Sequence, residues 1–334
     1  MAYDTNVMRR AVDRLERQRR NREEREERLR LEVYQREPRL RQLDRRIQGT
    51  MAGLVAAALR QGDDPVHAVR AVKEENQQLQ RERAVLLGAM GLPEDALEEK
   101  PACPLCCDRG WKGAQMCRCL QELCAQEQLK ELSKLLDLGD QSFDSFRMDY
   151  YSQTPYPGWG ASPRSNMELV YDVCLSYATK FGRFAIQNLF LSGSPGLGKT
   201  FLSACIARTV SERGCSVVYD TAGTIFAQFE TKKFQPNSSS GLDARDETRR
   251  YLSCDLLILD DLGSELTTQF TQSALYELIN TRLVGGKHTV ISSNLSMAEV
   301  AQRYAPQIAS RLEGEYHILH FFGDDIRLLR KNRL

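Results

Sequence analysis

From residue 188 onward, short apolar runs alternate with longer stretches whose apolar positions recur every three or four residues. The runs Asn188–Ser192, Cys215–Asp220, Asp255–Asp260, Thr289–Ser293 and His317–Phe322 predict strands, and Lys199–Arg213 predicts a helix after the first of them. Short apolar strands separated by helices imply a parallel sheet covered on both faces, an α/β fold. The first half of the chain is patterned differently. Residues 5–36 are mostly Arg, Glu and Gln, a polar helix or frayed arm interrupted at Pro38. Leu40, Leu43, Ile47, Met51, Leu54, Val55 and Ala58 then trace one apolar stripe along a helix. Gln61–Pro65 stops it, with Asp64 as a cap and Pro65 at the first position of the next helix. That helix carries Val69, Val72, Leu79, Leu86 and Leu87 and ends near Gly88–Gly91. The pair reads as a helical hairpin, a coiled-coil-like arm with too few heptads to fix an oligomeric state. A further helix is expected at 120–136, and the Tyr-, Pro-, Gly- and Ser-rich stretch Asp149–Pro163 reads as linker. The expected division is a helical arm at 1–100, a Cys-rich knuckle and helix at 101–136, a linker at 137–164 and an α/β domain at 165–334.

Charge changes this picture only in the arm. The net charge of +1 hides an asymmetry, because residues 1–50 hold 15 Arg, no Lys and 10 acidic residues. Such a segment suits nucleic acid or an acidic protein partner, or else is a solvated helix of interleaved Arg and Glu. No apolar run reaches the roughly 18 residues of a membrane span, and the charged N-terminus does not resemble a secretory signal, so a cytoplasmic protein with no membrane partner is expected.

Residues 193–200 read Gly-Ser-Pro-Gly-Leu-Gly-Lys-Thr, a phosphate-binding loop between a predicted strand and a predicted helix. Gly193, Gly196 and Gly198 let the backbone turn its amides inward around Ser194, Pro195 and Leu197, and the helix adds its positive end. Lys199 is expected on the β- and γ-phosphates of ATP, and Thr200 on Mg2+. The apolar run Leu256–Leu259 ends in Asp260 and Asp261. Asp260 is expected to hold the hydrated magnesium. Asp261 is expected to polarise the attacking water, with Glu265 an alternative base. Asn294, after the strand ending Ser292-Ser293, either reads the γ-phosphate or caps the next helix, a task Ser296 can do equally well. Arg311 and Arg327 are either structural ion-pair residues or charge donors to nucleotide.

Ten cysteines do not imply disulfides here, because six crowd into residues 103–124. Cys103 and Cys106 form one C-x-x-C pair, Cys117 and Cys119 a C-x-C pair, and Gly110 and Gly113 let the chain fold back between them. Four converging thiolates favour a closed, structural Zn2+ site. Cys107 and Cys124 stand as alternative ligands, and an iron–sulfur cluster is the less common reading of the set.

Taken in order, Gly193–Thr200, Leu256–Gly263, Asn280–Leu283, Ser292–Ser296, Ser310–Leu312 and Phe322–Arg327 resemble the ATPase domain of bacterial replicative-helicase loaders of the DnaC/DnaI type, within an AAA+ branch that includes IstB-type transposition helpers. The Cys-rich knuckle is similar to that of DnaI-like loaders. The resemblance implies an AAA+ P-loop module that self-associates in a ring or spiral. It also implies a replicative DnaB-type helicase and single-stranded DNA as partners. Asn294 then looks like sensor 1, Arg311 like an arginine finger acting on a neighbouring subunit, and Arg327 like sensor 2 acting within its own. Many AAA+ proteins carry Asp-Glu where this chain has Asp260-Asp261, which is compatible with slow, switch-like hydrolysis. The arm matches no quoted motif, and its helicase-docking role rests on position alone. A transposase helper remains the alternative.

Overall fold

The computed structural model describes residues 3–59, 65–136, 141–236 and 238–331. By its internal contacts the chain divides into two units, Asp13–Cys117 and, together, Met1–Val12 with Arg118–Leu334. The first helix, α1 (Thr5–Arg36), contributes to both.

In the Asp13–Cys117 unit, α2 (Pro38–Leu59) and α3 (Pro65–Ala89) form the expected hairpin. Its antiparallel sense shows in the ion pairs that cross it. Arg39 meets Glu82 at 2.9 Å, Arg83 meets Asp44 at 2.7 Å and Arg46 meets Glu75 at 2.7 Å. Leu40, Leu87, Val33 and Leu97 are buried together behind those charges, so the stripe of three- and four-residue spacings closes on apolar partners. The expected turn at Gln61–Asp64, with its cap, lies outside the described residues, as do the side chains of Met51, Leu54, Val55, Ala58 and Val69. A two-stranded antiparallel ribbon, β1 (Trp111–Lys112) and β2 (Gln115–Met116), follows in the Cys-rich stretch.

The larger unit is a three-layer α/β domain. After α4 (Arg118–Leu136) and α5 (Pro163–Thr179) come β3 (Leu189–Gly193), α6 (Lys199–Glu212), β4 (Val217–Thr221), α7 (Ala222–Phe234), α8 (Ser239–Ser253) and β5 (Leu256–Leu262). Then follow α9 (Gln269–Val284), β6 (His288–Ser293), α10 (Met297–Arg303), α11 (Pro306–Glu315), β7 (His317–Phe321) and α12 (Ile326–Lys331). The strands form one parallel sheet in the order β4-β5-β6-β3-β7. All five apolar runs expected as strands are therefore present, displaced by no more than two residues.

Alternation along each strand sends side chains to two separate cores. Leu256 and Ile258 join Leu189, Leu191 and Val217 on the face covered by α5 and α6. Leu257 and Leu259 join Phe190, Val218 and Ile291 on the face covered by α7, α9 and α11. The edge strand β4 is closed by a side chain rather than by another strand. Gln128 of α4 accepts from Val217 N at 2.9 Å and donates to Cys215 O at 3.0 Å and Ser211 Oγ at 2.6 Å. Pairing an edge amide in this way removes a template for association with another strand.

The stretch expected as linker is built in part from this core. Two short 3-10 turns, Phe143–Ser145 and Met148–Tyr150, carry Phe143, and Tyr151 follows them; both rings are buried. Residues 137–140 lie outside the described set.

Arg282, on α9, is completely buried, and among the described residues no carboxylate forms an ion pair with it. Its guanidinium donates to Tyr251 O at 2.6 Å, His288 O at 2.6 Å, Cys254 O at 3.2 Å and Thr289 Oγ1 at 3.0 Å. It thereby ties the ends of α8 and α9 to the start of β6. Arg282→Ala should cost about 3 kcal/mol or more, because it strands buried carbonyls without a donor. Chemical denaturation of both proteins measures this, and a loss below about 1 kcal/mol would mean those carbonyls find other donors.

Candidate functional site

The sheet order sets the site. β6 lies between β5 and β3, so the C-terminal ends of these three strands open side by side. Gly193 ends β3, Asp260 lies near the end of β5, and Asn294 follows β6. A crevice beyond the carboxyl ends of a parallel sheet is where α/β proteins bind ligands.

The loop from Gly193 to Thr200 turns through three left-handed glycines. The φ angles are 156° at Gly193, 80° at Gly196 and 92° at Gly198. At Gly193 a Cβ would strike the Phe321 carbonyl, and at Gly196 it would fall on the Asp325 carboxylate. A glycine is therefore required at 193, where the obstacle is backbone, while at 196 the positive φ and the Asp325 carboxylate disfavour a side chain. Gly198 is the N-cap of α6, and Leu197 is buried beneath the turn. Tyr151, from the stretch expected as linker, donates to Leu197 O at 3.0 Å and holds the loop from behind.

Lys199 is buried and folds back over the loop, donating to Gly193 O at 2.5 Å and Ser194 O at 2.9 Å. Burial pushes its ammonium below the ordinary lysine range, and the charge of Arg327 adds to that shift, while Asp260 and Asp261 oppose it. A bound phosphate would favour the charged form, so the loop, its lysine and the amino end of α6 together fit a polyphosphate.

Asp260 is buried at the core of the acidic element. Thr200 Oγ1 donates to its Oδ2 at 3.2 Å, Tyr219 donates to the same oxygen, and Ser292 donates to Oδ1. Thr200 and Asp260, the two residues expected at magnesium, are thus in contact, and oxygen donors of this kind suit that hard cation. Burial first, then the charge of Asp260, raises the Tyr219 hydroxyl well above the ordinary tyrosine range.

Asp261 follows in an unusual conformation. Leu259 pairs with Ile291 but Leu262 pairs with Ser293, so β5 carries one extra residue against β6. Within this bulge Asp261 has φ 56° and its side chain is exposed, while its amide donates to Ser292 Oγ at 3.2 Å. Bulges re-aim side chains beside functional sites, and a left-handed non-glycine residue holds such a pose only where its surroundings enforce it. Glu265 is engaged elsewhere. Its carboxylate accepts from Gly263 N at 2.8 Å and from the Tyr304 hydroxyl.

Asn294 is exposed and is not the helix cap. Ser296 caps α10 in a reciprocal capping box with Glu299. Arg327 is exposed at the start of α12, near enough for its charge to be felt at Lys199. Arg311 is held elsewhere, 5.2 Å over the Tyr276 ring and 3.2 Å from its hydroxyl, so the structure does not bring it to Lys199 or Asp260. Sequence reasoning missed Tyr219, Ser292, Tyr151 and Asp325. A tyrosine inside an otherwise apolar strand is the available signal for the first, since a buried hydroxyl needs a partner.

In the Cys-rich stretch the sulfurs of Cys103, Cys106, Cys117 and Cys119 lie within 4.8 Å of one another. Cys103 and Cys117 sulfurs are 3.7 Å apart, close to the edge of about 3.8 Å implied by Zn–S bonds of about 2.3 Å in a tetrahedron. The Gly110 amide donates to the Cys106 sulfur at 3.3 Å. Asp108 fixes the loop by accepting from Cys103 N at 2.8 Å and Ala102 N at 3.1 Å, and it pairs with Arg22. The donor set fits zinc. Cys107 is exposed and outside the cluster. The buried Cys124 thiol points to Met8 Sδ and is pushed up to about 11 by burial and by Glu127, far from the thiolate a metal needs.

Sheet, loop and acidic strand end form a parallel α/β module with a phosphate-binding loop. Residues 178–333 match the family of IstB-like ATP binding proteins. The chain is 23% identical over 127 residues to the replicative helicase loader DnaC of Escherichia coli strain K12, covering 38% of this chain and 50% of that protein. It is 27% identical over 175 residues to the chromosomal replication initiator protein DnaA of Thermomicrobium roseum, covering 49% of this chain and 35% of that one. It thus spans half or less of the length of these curated relatives. A crystal structure of the DnaC helicase loader superposes with a TM-score of 0.44 at 18% identity, over 56% of this chain and 99% of that one. No helix among the described residues is long and apolar enough to cross a membrane.

Cys103→Ser should release about one zinc per chain and loosen the knuckle, as metal binding and local folding are coupled. Metal analysis of the purified proteins reads this, and an unchanged zinc content would remove Cys103 from the ligand set.

Proposed function

We propose that this protein is an AAA+ ATPase that loads a replicative DnaB-type helicase onto single-stranded DNA in the cytoplasm. The observation that carries the ATPase part is the meeting of Thr200 and Asp260 at 3.2 Å beneath a glycine-lined cradle closed by Lys199. In this reading Gly193–Thr200 wraps the phosphates, Lys199 neutralises the β- and γ-oxygens, and Thr200 and Asp260 hold Mg2+. The metal supplies charge neutralisation across the phosphates. Asp261, re-aimed by the bulge, orients the attacking water, and the engagement of Glu265 with Gly263 and Tyr304 favours Asp261 over it. Asn294, at the mouth between β5 and β3, senses the γ-phosphate. Arg327 acts on nucleotide in its own subunit. Arg311, which stacks on Tyr276, acts on a neighbour's site in a self-associated ring or spiral. The cysteine knuckle holds Zn2+ and, with the helical arm, docks on the helicase.

The helicase-loading part draws on the similarity to DnaC. The family match to IstB-like proteins supports a second reading, a helper ATPase for a transposase, with the same nucleotide chemistry and a different partner.

A pull-down of the full chain with the host's replicative helicase, with and without ATP, separates the two. The loader reading predicts stable capture that changes with nucleotide. Absence of capture from a protein that hydrolyses ATP and binds duplex DNA would contradict it and favour the transposase helper.

A further inference from the structure

Tyr219 lies on β4, the strand next to β5, two residues before the strand's end. Its ring is buried in the core shared with Leu256, Ile258 and Leu202. A phenylalanine would fill that space equally well. What the hydroxyl adds is one bond, to Oδ2 of Asp260 at 2.5 Å, the oxygen that also accepts from Thr200 at 3.2 Å. The other carboxylate oxygen accepts from Ser292 of β6, whose hydroxyl oxygen also takes the Asp261 amide at 3.2 Å. Asp260 is therefore gripped from both neighbouring strands, one hydroxyl on each oxygen. A carboxylate otherwise turns about its terminal torsion over a broad range. Partners that orient a metal-holding group commonly change metal affinity by about 10–100-fold when removed.

We propose that Tyr219 is a positioning residue for magnesium, its hydroxyl acting with that of Ser292 to hold the Asp260 carboxylate turned toward Thr200. This rests on the reading of Thr200 and Asp260 as the magnesium pair. Both hydroxyls act through Asp260. Their effect is on how readily the cation joins the nucleotide already seated in the cradle.

The test is equilibrium binding of a methylanthraniloyl-labelled ATP to the full chain, first in EDTA and then across a magnesium titration. Tyr219→Phe should bind the metal-free nucleotide as the unaltered protein does, while the magnesium concentration at half-effect rises about tenfold. Ser292→Ala should move that midpoint in the same direction, which keeps the idea testable if either variant is poorly folded. Asp260→Asn is the control for the underlying assignment. A large shift in Asp260→Asn with midpoints unmoved in both hydroxyl variants would overturn the positioning role alone. An unmoved midpoint in Asp260→Asn would overturn the magnesium assignment and this inference with it. Weakening of metal-free binding by Tyr219→Phe in the same proportion would make the hydroxyl structural and would likewise overturn the proposal.

Discussion

A carboxylate buried at the end of a strand, a few ångströms from a glycine-turned loop, is a costly arrangement that the rest of the domain exists to support. Desolvating Asp260 is tolerable only because three hydroxyls from three different elements donate to it. Those hydroxyls arrive because the strand order puts β4 and β6 on either side of β5, and because α6 begins directly at the loop that follows β3. The order itself is held by the two apolar cores and by the buried Arg282, which fastens the ends of α8 and α9 to β6. Lys199 answers Asp260 with a buried cation whose charge is disfavoured by burial and supported by Asp260 and Asp261. Burial, sheet order and nucleotide chemistry are in this sense one constraint.

Much of this was legible in the sequence, and the reasons differ from element to element. The strands β3 to β6 announce themselves because both their faces are largely buried, which favours apolar runs such as Leu256–Leu259, whereas the edge strand β7 exposes His317 and His320. The phosphate loop is legible because its glycines are sterically obligatory: at Gly193 and Gly196 any Cβ would collide. A tyrosine in β4 signals that its hydroxyl needs a partner, but that Tyr219 and Ser292 meet at Asp260 was not legible, since the hydroxyls reach it only across strands distant in sequence. The bulge at Asp261 was equally hidden, because Asp-Asp at a strand end carries no local mark of a register shift. Asn294 had two readings in the sequence, and the capping box of Ser296 with Glu299 removes one of them. Asp149–Pro163 looks like a linker by composition, yet the aromatic residues in that composition are the ones that seek burial, and Tyr151 finds it.

The N-terminal unit obeys a separate logic. Its hairpin has only a thin apolar seam around Leu40 and Leu87 and relies on Arg–carboxylate pairs across α2 and α3. Exposed pairs of this kind contribute little each. A small unit with a thin core gains most from a metal staple, and the four converging sulfurs of the knuckle suit that role. Part of the basic character of the arm is met by acidic neighbours, as in the pairs of Arg22 with Asp108 and Arg30 with Glu99.

The central claim is that the Gly193–Thr200 cradle binds ATP through Lys199. The most direct measurement is a calorimetric titration of ATP with magnesium into the unaltered protein and into Lys199→Ala. The account predicts saturable binding by the former and a loss of about 100-fold in the latter, the scale of charge-assisted contacts to phosphate. Equal affinity in the two proteins would contradict it, whatever else the domain does.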